Sequence, residues 1–251
     1  MGRFNKVFTL VLGVAFFAAA SVKADAVDDV MEVPAPIDGV FIPQGFDTND
    51  NSQVVISGAY PNTCYKMGNV TKSVELEQDE DGNIVKRDVK INVTAYYHHS
   101  RACLMLYTPF TEVVSLGLLK KGAYDVQVND VQELGLPVAE APVDRSDNYV
   151  YANVFGLLRK GERLFEIQGT LPRSCAMLEE IRVIEEEGSD VVVVLPIVAF
   201  PEGCDTSEVN EDDQGRNFIA RFQTPANLKG KQLIHVRTLN GGSLNQVVEF
   251  K

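Results

Sequence analysis

The chain holds 251 residues, 45% hydrophobic and 23% charged, enough for two domains that each bury a core. Its 35 acidic against 23 basic residues give a net charge of −12. That balance argues against nucleic acid and anionic membrane as partners, because both would have to be neutralised by Lys and Arg.

The N-terminus carries Arg3 and Lys6 and then an apolar run of 14 residues, Val7 to Ala20, which is short for a bilayer span. Small residues follow, with Val22 and Ala24 placed for cleavage after Ala24, so residues 1–24 read as a secretory signal peptide. Its removal takes away Arg3, Lys6 and Lys23 and no acid, leaving 20 bases against 35 acids, a net charge of −15. No later segment approaches 18 consecutive apolar residues, so no membrane insertion of the mature chain is expected. The expected location is periplasmic or extracellular.

Residues 25–34 read as a leader, and a first unit follows over 35–130. Inside it, Ile56-Ser57-Gly58-Ala59-Tyr60-Pro61-Asn62-Thr63-Cys64 has a counterpart 111 residues later, Ile167-Gln168-Gly169-Thr170-Leu171-Pro172-Arg173-Ser174-Cys175. The shared pattern is I-x-G-x-x-P-x-x-C, with the glycine expected to end a strand where the proline turns the chain. Val74 to Glu77, the turn Asp79 to Asn83, and Ile84 to Thr94 predict a hairpin. Its second strand buries Val89, Ile91, Val93 and Ala95 on one face by alternation. Cys103 is followed by an apolar stretch and the ending Leu119-Lys120-Lys121-Gly122.

Residues 131–140 read as a linker and 141–251 as the second unit, with Ala141-Pro142-Val143-Asp144 matching Ala35-Pro36-Ile37-Asp38. Met177 to Ile184 is ambiguous between helix and strand. A turn at Glu187 to Asp190 leads into Val191 to Leu195, which is apolar without alternation and so predicts a strand buried more deeply than its neighbours. Gly241-Gly242 marks a further hairpin turn.

All four cysteines lie in the exported part, where disulfides are the default. Each unit holds one early and one late cysteine, so the economical pairing is Cys64 with Cys103 and Cys175 with Cys204. The fold class expected is all-β: two tandem immunoglobulin-like β-sandwich domains, each with one intradomain disulfide. At that level the repeat resembles the tandem immunoglobulin-like modules of bacterial exported proteins, although the core tryptophan of antibody-type domains is missing, since the chain has no tryptophan.

Candidate chemistry is thin. His98 and His99 are adjacent, so on a strand they point to opposite faces and cannot jointly chelate an ion. The acidic clusters around Asp79 and Asp81, and around Asp205, Glu211 and Asp212, lack the spaced pattern of a calcium loop and read as solvated turns. No G-x-S-x-G or phosphate-binding glycine loop occurs, and no catalytic residue, cofactor or metal ligand is assigned. The expectation is a non-enzymatic interaction or structural module binding a protein or glycan partner. Its candidate binding loops carry Asp79, Asp81 and Asn83; Tyr97, His98, His99 and Arg101; and Asp205, Glu211, Asp212 and Arg216. The alternatives are a secreted hydrolase using paired carboxylates in a groove between the domains, and a calcium-stabilised, adhesin-like module.

Overall fold

The structure is a computed structural model, and it describes residues 30–99, 102–129, 132–141, 150–185, 188–204 and 215–251. The first domain is built from β1 (Val30–Pro34), β2 (Ile37–Phe41), β3 (Phe46–Asp47), β4 (Asn51–Tyr60), β5 (Tyr65–Gln78), β6 (Ile84–His98), β7 (Thr108–Leu118), β8 (Gly122–Val128) and β9 (Gln132–Ala139). The second holds β10 (Val150–Tyr151), β11 (Asn153–Arg159), β12 (Leu164–Thr170), β13 (Met177–Glu185), β14 (Val191–Ala199), β15 (Asn217–Gln223), β16 (Gly230–Thr238) and β17 (Gly242–Phe250).

Each domain is a two-sheet sandwich. In the first, β2-β4-β7 form a small sheet, and β1-β6-β8-β9-β3 with β5 form a large one. In the second, β11-β12-β15 face β10-β14-β16-β17 with β13. The alternating residues expected to point inward do so: Val89, Ile91, Val93 and Ala95 pack against Val54, Ile56, Val114 and Leu116 of the small sheet. Phe165, Ile167 and Phe222 meet Val192, Val194, Ile234 and Val248 in the same way. Both large sheets contain a parallel pair, β6 with β8 and β14 with β16, which no local sequence signal announces. Both disulfides form as paired above, Cys64–Cys103 and Cys175–Cys204, with Cα atoms 5.4 and 5.7 Å apart.

Three expectations about unit boundaries and alignment are corrected. Residues 131–140 are not a linker, because Gln132–Ala139 is β9, hydrogen-bonded along β8 and burying Leu136 and Val138. Nor are residues 30–34 leader: Val30–Pro34 is β1, paired with Thr94 to His98 of β6. The Ala141-Pro142 match is coincidental, for register equates Ile37 with Val154, opposite Gly58 and Gly169, and places a one-residue bulge after each. Ala35 then corresponds to Ala152; both are buried, and their N–H groups donate to the equivalent carbonyls of Val93 and Pro196. The ambiguous segment Met177 to Ile184 is strand β13, paired along β14.

The repeat glycine lies inside the strand rather than ending it. A Cβ on Gly58 would sit 2.2 Å from the Pro36 carbonyl and 2.4 Å from the Phe110 ring; one on Gly169 would sit 2.5 Å from the Asn153 carbonyl and 2.7 Å from Phe218. Backbone and ring leave room only for hydrogen.

The two sandwiches are stacked. Phe41 and Val55, on the outer face of the first small sheet, bury themselves among Val191, Val193, Leu195, Ile197 and Leu233 on the outer face of the second large sheet. This second contact surface explains why Val191 to Leu195 is apolar at every position: alternate residues serve an inner core and a domain interface. The register makes the contrast explicit. Asp88, Lys90 and Asp125, on the solvent face of the first large sheet, occupy the places of Val191, Val193 and Leu233 in the second.

Candidate functional site

Three parts of the molecule gather chemistry-bearing side chains: the seam between the domains, the β5–β6 hairpin, and the end of the first domain around its disulfide.

At the seam, the Arg237 guanidinium lies 4.6 Å from the Phe46 ring centre, donates to the Gln44 carbonyl at 2.9 Å and pairs with Asp50 at 3.5 Å. Lys231 bonds Asp38 at 2.6 Å, and Ser57 donates to the same carboxyl oxygen at 2.8 Å. Burial pushes the Asp38 pKa up, but Lys231 and Ser57 outweigh it and hold the carboxyl below its ordinary range. Asn51 and Gln53 both donate to the Gly241 carbonyl, and Ser243 donates to Gln53 at 2.6 Å. His235 is buried here, its Nδ1 2.8 Å from the Asn245 side-chain Oδ1 and its ring edge-on to Phe46. Burial drives its pKa down to about 4, helped by the neighbouring Arg237 and opposed by Asn245. A cleft of about 250 Å³ opens beside these residues, with Tyr151 and Asn240 on its wall. The carboxylates at the seam, Asp38 and Asp50, are thus each held by a cation of the other domain, an arrangement that fastens the domains together.

The hairpin carries the first candidate loop. Leu76 to Gln78 of β5 and Ile84 to Arg87 of β6 pair only with each other, Thr71 to Glu75 run along Asp88 to Asn92 beside the large sheet, and every residue from 71 to 83 is exposed. At the tip, the Asp79 carboxylate accepts from the N–H groups of Asp81 at 3.0 Å and Asn83 at 2.8 Å, and from the Asn83 side chain at 3.2 Å. These bonds, those from Asn83 foremost, lower its pKa. The carboxylate is therefore occupied in closing the turn, and Gly82 supplies the positive φ of 81° that the turn requires. Asp81 is exposed beside it. Among the described residues no group of three or more His, Cys, Asp or Glu side chains is placed to hold a metal ion.

The disulfide end carries the second. Tyr97 stacks on Tyr65 with centroids 4.7 Å apart, and the ladder continues through Tyr60 to Phe110 at 6.0 and 4.7 Å. The His98 N–H donates to the Cys64 carbonyl at 3.0 Å, and His99 is exposed just past β6. Sequence reasoning missed the neighbouring run Leu104-Met105-Leu106-Tyr107. Read only as an apolar stretch after Cys103, these residues are 71%, 84%, 59% and 74% exposed. The signal was present as four large apolar residues in succession, without the alternation of a half-buried strand.

The candidate loops do not converge. Asp79 to Asn83 and Tyr97 to His99 lie at opposite ends of β6, whose 15 residues extend about 45 Å. Arg101, Asp205, Glu211 and Asp212 lie outside the described residues. Arg216 is exposed, with its guanidinium donating to the Ala176 carbonyl at 2.9 Å while its own carbonyl accepts from Leu171. It braces the chain beside Cys175.

No curated protein and no solved structure matches the chain. Residues 54–136, from β4 to β9 of the first domain, are similar to the ORF11 beta-sandwich domain, in agreement with the sandwich described above.

Proposed function

We propose that the chain is a non-enzymatic, exported interaction or structural module that binds a protein or glycan partner at the cell envelope or outside the cell. The observation that carries this reading is the combination of a rigid base with a projecting arm. Two sandwiches are fastened by an apolar interface and a set of cross-domain ion pairs, and from that stack the β5–β6 hairpin extends with every residue from 71 to 83 exposed. Exposed surface on a rigid scaffold is where recognition residues concentrate. Val74, Leu76 and Val85 are exposed on the arm beside Lys86 and Glu77, a mixture suited to a protein contact with a partly apolar centre. The two disulfides and the short apolar N-terminal run support export into an oxidising compartment.

The test is cross-linking in the native host with affinity-tagged protein, followed by mass spectrometry of what is captured. A reproducible partner linked through residues 71–88, and lost when Val74, Leu76 and Val85 are changed together to Ser, is the expected result. Capture of no partner through the arm, or capture that survives the triple change, overturns the assignment. Glycan binding is read separately on an array, with the same triple variant as the control.

A further inference from the structure

We propose that the Leu104–Tyr107 loop is a bilayer-contacting tip, so that the first domain meets a lipid surface at its disulfide end while its hairpin arm points the other way. Four successive apolar side chains are 59% to 84% exposed, and runs of this kind on a protein surface are functional or they aggregate. The loop is built to hold that exposure. Cys103 anchors its base to Cys64. The Thr63 N–H donates to the Leu104 carbonyl at 3.1 Å, and the Leu104 N–H donates back to the Thr63 hydroxyl at 3.0 Å. Leu106 N–H closes a γ-turn onto the Leu104 carbonyl at 2.8 Å. Because the backbone is already fixed, insertion orders little that was free.

The choice of lipid over another protein rests on where the described chain begins. Val30 pairs with His98, His98 bonds the Cys64 carbonyl, and Thr63 bonds Leu104. Three strand spacings therefore separate Val30 from the loop, about 15 Å. Met31, 54% exposed, lies on the same side next to Tyr97. Upstream, the run Val7 to Ala20 is the most membrane-like segment in the sequence, and only residues 21–29 connect it to Val30, a reach of at most about 30 Å. As long as that run is attached, it holds this end of the first domain near the bilayer. Leu, Met and Leu suit the acyl boundary and Tyr107 suits the headgroup level, for a contact about 5–10 Å deep that does not span. Since the chain is strongly acidic, the fitting surface is a zwitterionic one.

The chain contains no tryptophan, so a single introduced one reports its own position without background. The full chain carrying Met105→Trp is mixed with phosphatidylcholine vesicles, with and without phosphatidylglycerol, and with vesicles brominated near the headgroup end of the acyl chains. We expect blue-shifted emission, quenching by brominated lipid, protection from aqueous iodide, and weaker binding when phosphatidylglycerol is added. Phe155→Trp, on the outer face of the second domain where Phe155 is 60% exposed, is expected to stay accessible to iodide. Adding Leu106→Asp to the reporter is expected to lower loop insertion at least about tenfold. An introduced tryptophan at position 105 that remains iodide-accessible and unaffected by brominated lipid overturns the proposal, as does insertion insensitive to Leu106→Asp. A host protein cross-linked through Leu104 to Tyr107 in place of lipid overturns it equally. None of these results bears on capture through the hairpin arm, so the two readings fail separately.

Discussion

Gly58 and Gly169 show how far a single residue type can be read. Their spacing to the following Pro and Cys identifies the repeat, but the reason for glycine is the carbonyl of Pro36 or Asn153 and the ring of Phe110 or Phe218 packed against the Cα. Those groups come from other segments of the chain and were invisible locally. Gly58→Ala should therefore lower stability by about 1–3 kcal/mol through overpacking, whereas Gly135→Ala, where an added Cβ meets nothing within 4 Å, should be near neutral. Denaturant midpoints of the two variants check this. His235 makes a second residue-scale case. Its pKa falls from the ordinary 6.5 to about 4 in the fold, so folding favours the neutral ring. That stabilisation is complete above pH 6.5 and is lost as pH falls from 6.5 toward 4, by about 3 kcal/mol in all. The charge would appear between Phe46, Asn245 and Arg237, with Asp50 already engaged by Arg237. His235→Gln, which installs the residue found at the equivalent position 127 of the first domain, should flatten that part of the stability–pH curve relative to the native chain, as read by urea unfolding at a series of pH values.

At the scale of elements, the strands with clean alternation and the hairpins with glycine turns were legible, because period two and positive φ are local properties. β1 and β9 were not, since Val30 to Pro34 and Gln132 to Ala139 carry Pro, Glu and Gly and hold their strand conformation through pairing with β6 and β8. The same limit applies to the site: the tip residues Asp79, Asp81 and Asn83 were legible as a turn, while the exposure of Leu104 to Tyr107 depends on where the disulfide holds the loop. The disulfides themselves followed from one early and one late cysteine per repeat. With 39 residues separating Cys64 from Cys103, loop closure predicts that replacing both by Ala costs about 4 kcal/mol. Cys103 also anchors the base of the Leu104 loop, so the double variant should gain fast amide exchange at Leu104 and Leu106, where the anchoring bonds to Thr63 and within the γ-turn open. Hydrogen exchange resolved to these residues separates that local loosening from the global loss seen in the unfolding midpoint.

At the scale of the whole molecule, the stack of two sandwiches was foreshadowed by one feature alone, the unbroken apolar run of β14. Tandem domains on a flexible connection would keep polar residues on both outer faces of each sandwich, as the first large sheet does with Asp88, Lys90 and Asp125. The second large sheet replaces these with Val191, Val193 and Leu233 and covers them with Phe41 and Val55. The two domains should consequently unfold as one cooperative unit, because neither keeps its outer apolar face covered without the other. Val193→Lys reproduces the residue at the equivalent position of the solvent-facing sheet. Inside the second domain it faces away from the core of Val192 and Val194, so that sandwich should persist. At the interface it places a charge against Phe41 and Val55 inside an apolar patch, and a buried unpaired charge costs several kcal/mol. The expected outcome is a calorimetric transition that splits in two, with the ratio of van't Hoff to calorimetric enthalpy falling from near one to well below it. A single transition merely shifted to lower temperature would mean that the seam of Arg237, Asp50, Lys231 and Asp38 couples the domains without the apolar patch.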